Sequence, residues 1–305
     1  MSESLTVKET ARIVLLGAHG FVGKALQSKI RREGRSIRAI SRAEIDLIQI
    51  NAQHRLAEIF EPHDTVVFAS AITPDRGKGA RAFMNNIAIG HGVAQALSKA
   101  PVSKVIYISS DAVFAEGLLP AITEDTLPCP KGLYGIMHLA REKMIEEVCG
   151  ERGIQLLILR PCAIYGPGDT HNSYGPNRFI HSALQEGIIR LIGKGEEVRP
   201  HLFIEDFVEV LFESIRIREL IGVLHVIPEK GHSFLEIAQE ISRLLKLSKG
   251  VECLRRSTEA SHKIFASGRM RNVLPQVKFR SLQAGLIASI AEGRCDSQNP
   301  SVQFI

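Results

Sequence analysis

The chain has 305 residues, 45% of them hydrophobic and 23% charged, which fits a soluble protein with one large α/β domain or one such domain with a smaller appendage. A net charge of +5 suits an anionic ligand as well as a plain basic surface, and the lack of a dense Lys/Arg block interleaved with aromatics excludes a nucleic-acid role. No run approaches the roughly 20 apolar residues of a membrane helix, and five scattered cysteines (Cys129, Cys149, Cys162, Cys253, Cys295) without CxxC spacing exclude a disulfide framework and a zinc site. With the polar start Met1 to Thr10, this predicts a cytoplasmic protein.

In chain order, residues 12–16 read as a strand, 21–32 as a helix, and 37–40 and 65–70 as strands. Residues 82–98 read as a helix, 104–109 as a strand rich in β-branched side chains, 134–149 as a helix and 155–160 as a strand. Such alternation predicts βαβ units and a mostly parallel sheet covered on both faces. After Arg160 the close-set Pro161, Gly166, Pro167, Gly168, Gly175 and Pro176 predict a loop region. Helical or strand patterns resume at 179–186, 205–215, 224–227 and 234–245, the last opened by a capping box of Ser233 and Glu236. A final helix is predicted over 281–290, and the tail 293–305 is expected to be loosely held.

Gly17-Ala18-His19-Gly20-Phe21-Val22-Gly23 stands between the first strand and the first helix. A chain that turns from strand to helix within a few residues needs glycine's backbone freedom, and a position without a side chain admits a pyrophosphate. The helix start adds free N–H donors and a positive dipole end. The turn therefore predicts dinucleotide binding through Gly17, His19, Gly20, Phe21, Val22 and Gly23. The second strand ends in Ser41-Arg42, with Arg38 nearby, where an acidic residue would select NAD. A guanidinium there suits a 2′-phosphate, so NADP is preferred and NAD remains the alternative. Asp46 is placed toward adenine, and Ala69, Ser70 and Ala71, after the third strand, complete the cofactor set.

Further on come Tyr107-Ile108-Ser109-Ser110-Asp111 and Tyr134-Gly135-Ile136-Met137-His138. Together these residues resemble the extended short-chain dehydrogenase/reductase family, nearest in pattern to nucleotide-sugar epimerases, dehydratases and 4-keto reductases. The resemblance covers about 12–290. Ser110 matches the family serine, Tyr134 the tyrosine of YxxxK, and Asn86 a family asparagine assigned to the cofactor; His138 replaces the lysine. Arg160-Pro161 and Tyr165-Gly166-Pro167-Gly168 match the loop after the sixth strand. Gly193-Lys194-Gly195-Glu196-Glu197-Val198-Arg199 with Glu205-Asp206 looks like the nucleotide-sugar segment, in which Arg199 would bind phosphate. Asn172 and Asn177 lie in the loop that faces substrate in the family, and Asp111 is placed beside the substrate.

The resemblance implies a Rossmann-type, doubly wound α/β fold with a smaller C-terminal substrate-binding region. The dinucleotide-binding domain is expected over 1–165 with 202–228 returning to it, and the substrate region over 166–201 and 229–305. The implied activity is NAD(P)-dependent epimerisation or 4-keto reduction of a nucleotide sugar, by a homodimer. Ser110 would position the substrate oxygen and Tyr134 would handle the proton. An unperturbed phenol has a pKa of about 10, which the family lysine lowers. His138, one helical turn from Tyr134, would do this only while protonated, though it could still hold the ribose. The alternative is a catalytically weak dinucleotide-binding redox sensor or scaffold. Asp111 is followed by Ala112, so the Asp-Glu pair of 4,6-dehydratases is missing.

Overall fold

Strands and helices alternate from the first residues onward: β1 (Ile13–Leu16), α1 (Phe21–Arg32), β2 (Ile37–Ile40), α2 (Ala52–Ile59), β3 (Thr65–Phe68), α3 (Gly79–Lys99), β4 (Lys104–Ile108), a 3-10 turn (Asp111–Val113), α4 (Leu133–Arg152) and β5 (Gln155–Pro161). Then follow β6 (Ala163–Tyr165), α5 (Pro176–Glu186), β7 (Ile189–Ile192), β8 (Val198–Arg199), β9 (His201–Phe203), α6 (Ile204–Arg216), β10 (Gly222–Val226), β11 (His232–Ser233), α7 (Phe234–Leu245), β12 (Val251–Leu254), α8 (Arg269–Val273) and α9 (Leu282–Ser297). This computed structural model describes residues 12–117, 121–169, 171, 174–257, 259–266 and 268–297; Asn172 lies outside them.

Six strands form one parallel sheet in the order β2-β1-β3-β4-β5-β10. Every residue of β1 and β3 is buried, as a strand covered on both faces requires. Successive side chains serve opposite faces: Ile13 and Leu15 enter one core, Val14 and Leu16 the other. The chain reverses its direction of travel across the sheet between β1 and β3, so the turns after these strands flank one crevice. In the second half, α6 packs on α1, β10 closes the sheet edge beside β5, and α5 packs on α7 and α9. Among the described residues no helix is long and apolar enough to cross a membrane.

The long elements lie where the sequence places them, and the capping box at Ser233 and Glu236 is formed. Three differences have local causes. The polar α2 buries only Ala52 and Leu56, too few apolar points to show a period. Pro176, expected in a loop, opens α5, where its missing N–H has no helical partner to lose. Residues 293–297, expected in a loose tail, continue α9.

Candidate active site

The glycine turn is built for close approach. Gly17 has φ +97°, and a Cβ there would lie 2.9 Å from both the backbone nitrogen and Oγ of Ser70. A Cβ at Gly23 would lie 2.2 Å from the Gly17 carbonyl oxygen. No side chain caps α1 and its first turn carries no acid, so its leading N–H groups face an open crevice. That crevice, about 540 Å³, is lined by Gly17, His19, Gly20, Ser41, Arg42 and Asp46, and by 69–71. The side chains of Phe21 and Val22 pack into the core beneath the turn, so only their backbone N–H groups could serve a cofactor. The bare backbone, the capless helix and the cavity fit a dinucleotide.

One wall of this crevice is basic. Arg42 lines it with Arg76, Lys78 and Arg81, the last three carried by the segment after β3 and the start of α3. Asp46 forms an exposed ion pair with Arg42 at 3.3 Å, and its Oδ1 accepts the Ile48 N–H. Arg38 is paired with Glu44 and does not line the crevice. Asn86 is buried: its amide donates to Ile72 O and its Oδ1 accepts the Ile72 N–H, each at 2.9 Å, which pins the segment after β3. A hollow of about 340 Å³ shares Ile72, Gly77, Lys78 and Ala82 with the crevice and reaches Tyr134. A larger cavity of about 1070 Å³, around Tyr165, His201, Asp206 and Arg280, contains none of the residues assigned by sequence to catalysis, cofactor or substrate; the chemistry points to the crevice.

Tyr134 and Ser110 are brought together by Gly135, whose Cβ would sit 2.0 Å from Ala112 O; without it α4 could not rest on the 3-10 turn. Ser110 Oγ accepts the Ala112 N–H at 3.1 Å and donates only a long 3.5 Å bond to Asp111, which leaves its proton for a substrate oxygen. α4 is clamped further by Ser109 donating to Glu142 and by Arg160 donating to Glu142 at 2.9 and 2.6 Å, all buried.

His138 is buried between two tyrosines. Its Nδ1 is 2.8 Å from the Tyr107 hydroxyl, its ring stands edge-on to Tyr134 at 4.6 Å, and Nε2 has no partner among the described residues. Burial, with Arg141 nearby, pushes its pKa down to about 3, so the ring is neutral at physiological pH. It therefore does not replace the lysine's charge, and its Nε2 is sealed from solvent as well as unpartnered among the described residues. Burial raises the Tyr134 phenol to about 12; Arg141 pulls it down while Asp111 and Asp75 push it up.

Beside the 3-10 turn, Asp111 is paired with Lys263 at 3.2 Å, and Glu116 with Arg199 at 2.8 Å. Ser261 joins them, donating to Glu116 Oε2 at 2.5 Å and lying 3.4 Å from Arg199 Nη2. Arg199 and Asp111 thus share one polar wall, to which the C-terminal segment brings Lys263. Asn177 is committed elsewhere, donating to Gly166 O at 3.0 Å and accepting the Gly166 N–H at 3.2 Å, so it braces the loop after β6. Sequence reasoning missed Arg141, Tyr107, Glu142 and Lys263. The first three carried a signal in their helical or strand spacing from Tyr134 and Ser110; Lys263 carried none.

His201 and His225 are also buried, each with its pKa lowered to about 4 by burial. An unfolded histidine takes up a proton below about 6.5. Between that value and about 3 to 4 the unfolded chain therefore holds more protons, and stability falls as pH drops through this window. Thermal unfolding at pH 7 and pH 4.5 is expected to show Tm lower at the acid pH by about 5 °C or more; an unchanged Tm would contradict burial of the neutral rings.

A family model, NAD dependent epimerase/dehydratase family, matches residues 13–219. The chain is similar to UDP-N-acetyl-alpha-D-glucosaminuronate decarboxylase of Bacillus cytotoxicus, 23% identical over 79% of this chain and 82% of that one. It is also similar to methionine adenosyltransferase 2 subunit beta of Rattus norvegicus, 29% identical over 51% of this chain and about half (47%) of the relative's length. Among solved structures, MoeE5 in complex with UDP-glucose and NAD superposes with TM-score 0.81 at 23% identity, covering 94% of this chain and 99% of that one. RMD from Pseudomonas aeruginosa complexed with NADPH gives TM-score 0.80 at 20% identity, covering 94% and 100%. The family match spans the glycine turn, Ser110, Tyr134 and Arg199, and with the parallel sheet and crevice just described the chain belongs to the NAD dependent epimerase/dehydratase family, a family of enzymes.

Proposed function

We propose that the chain is an NADPH-dependent reductase of a keto-sugar nucleotide, working at the 4-position. The observation that carries this reading is the protonation state of the site. Tyr134, held near pKa 12 beside an uncharged His138, is a proton donor at neutral pH. An epimerase must first oxidise its substrate, which needs the phenolate as base; a reductase needs only the phenol as acid.

The reduced nicotinamide supplies a hydride to the carbonyl carbon when bound. Ser110 donates a hydrogen bond to the carbonyl oxygen, and Tyr134 gives that oxygen its proton. The carbonyl becomes an alcohol, and the Tyr134 phenolate recovers a proton from water. Gly17, Gly20 and the start of α1 would hold the pyrophosphate, and Arg199 with Lys263 the substrate phosphates. The UDP-glucose held by MoeE5 and the NADPH held by RMD support a nucleotide-sugar substrate and NADPH. The basic crevice wall of Arg42, Arg76, Lys78 and Arg81 supports a 2′-phosphate.

The test is a titration with NADPH and NADH, followed by nicotinamide fluorescence, and then a screen of keto-sugar nucleotides for NADPH oxidation. Arg42→Ala is expected to weaken NADPH by about ten- to hundred-fold, the worth of a charge-assisted bond, and to change NADH little. Equal affinity of the native protein for both cofactors would sink the NADP assignment.

The domain division at 165, with 202–228 returning to the sheet, forms part of the proposal and is supported by α6 and β10. So does a homodimer, supported by exposed Met84 on α3 and Leu133 and Ile136 on α4, and a cytoplasmic setting, supported by four unpaired cysteines among the described residues. A second reading, a cofactor-binding regulatory subunit, draws on the neutral His138 and on the relative named as a subunit beta. Tight NADPH binding without turnover of any keto-sugar nucleotide would favour it.

A further inference from the structure

We propose that Arg141 supplies the positive charge of the Tyr134 site, the charge that the family pattern places on the lysine replaced by His138. This rests on the reading of Tyr134 as the proton donor. Arg141 lies seven residues beyond Tyr134 on α4, two helical turns along and therefore on the same face. It is completely buried. Its guanidinium donates to Asn86 O and Ser70 O, each at 2.8 Å, and to Asn86 Oδ1 at 3.0 Å. These partners are neutral oxygens, and among the described residues no carboxylate stands within ion-pair distance.

A guanidinium keeps its proton in proteins, and a buried cation without an anion is costly. The nearby groups able to become anionic are the phenols of Tyr107 and Tyr134, and the field of Arg141 draws both toward the ionised form. When Tyr134 gives its proton to the substrate oxygen, the phenolate left behind is the anion this cation lacks. The fold makes room for the arrangement: a Cβ at Gly90 of α3 would lie 2.6 Å from Arg141 Cγ. The charged and titratable groups facing Tyr134 are Arg141 and His138 from α4, Tyr107 from β4, Asp111 (paired with Lys263) from the 3-10 turn, and Asp75 from the segment after β3. Arg141 is the fixed cation of the set. It acts through Tyr134 and is a positioning residue rather than a group that touches substrate.

The chain has four tyrosines and no tryptophan, so the full protein labelled with fluorotyrosine gives a simple ¹⁹F spectrum. Fluorination acidifies the phenol and brings its titration into a range the fold survives. Tyr134→Phe assigns the Tyr134 resonance. Arg141→Met is expected to raise the Tyr134 midpoint by about one pH unit or more, and Arg141→Lys to hold it within about half a unit, because a charge near a buried phenol is worth that much. Gly90→Ala, which displaces the guanidinium without removing it, is expected to raise the midpoint too, and it decides the matter if the methionine variant fails to fold by circular dichroism. An unmoved midpoint in the folded variants would make Arg141 a strut between α3 and α4 and overturn the proposal. The titration needs neither cofactor nor substrate, so failure to reduce any keto-sugar nucleotide would defeat the enzymatic reading separately.

Discussion

Tyr134→Phe is expected to lower kcat for NADPH-dependent reduction by about 10³-fold, the usual range for loss of a positioned general acid, while NADPH affinity stays within about threefold of the native value. The split follows from position. Tyr134 lines the hollow that adjoins the crevice, and its ring packs edge-on against His138, a contact phenylalanine keeps. The native rate in the reductive direction should be flat from pH 6 to 9, because neither Tyr134 near 12 nor His138 near 3 titrates in that window. A phenylalanine variant with near-native kcat would remove Tyr134 from the chemistry.

Gly23→Ala should have the largest effect on the cofactor. The added methyl would sit 2.2 Å from the Gly17 carbonyl oxygen, a backbone atom that has no rotamer to yield. Reaching ordinary contact requires α1 to move by about 1 Å from the turn, and a displacement of that size at a binding site costs about 10²-fold. NADPH Kd is expected to rise by about that factor, with about 1–3 kcal/mol of stability lost to overpacking. Isothermal titration and denaturant unfolding separate the two losses. Unchanged affinity would mean that the pyrophosphate does not lie on this turn.

The sheet was legible because its strands are short apolar runs with a helix between each pair, and burial on both faces leaves no other pattern. The glycine turn was legible for the same reason that Gly23 is irreplaceable: its spacing records a close backbone approach. The charge state of the site was not. His138 is visible as a break in YxxxK, but whether it carries a proton depends on burial between Tyr107 and Tyr134, which no local pattern reports. The spacing of Arg141 puts it on the face of Tyr134, but its burial depends on Gly90 of another helix, whose missing Cβ leaves it room. Asp111 and Lys263 meet across 152 positions of sequence, beyond the reach of any spacing. Asn177 illustrates the converse: a loop asparagine expected at the substrate is spent on the backbone of Gly166.

The central claim is one-way hydride transfer to a keto sugar. It is tested most directly with NADPH deuterated at the transferred position of nicotinamide C4 and a 4-keto-sugar nucleotide, with the products examined by mass spectrometry. One deuterium on the sugar for each NADPH oxidised is the expected result. An epimerised sugar with no net oxidation of the cofactor, or bound NADPH that transfers nothing, would contradict it.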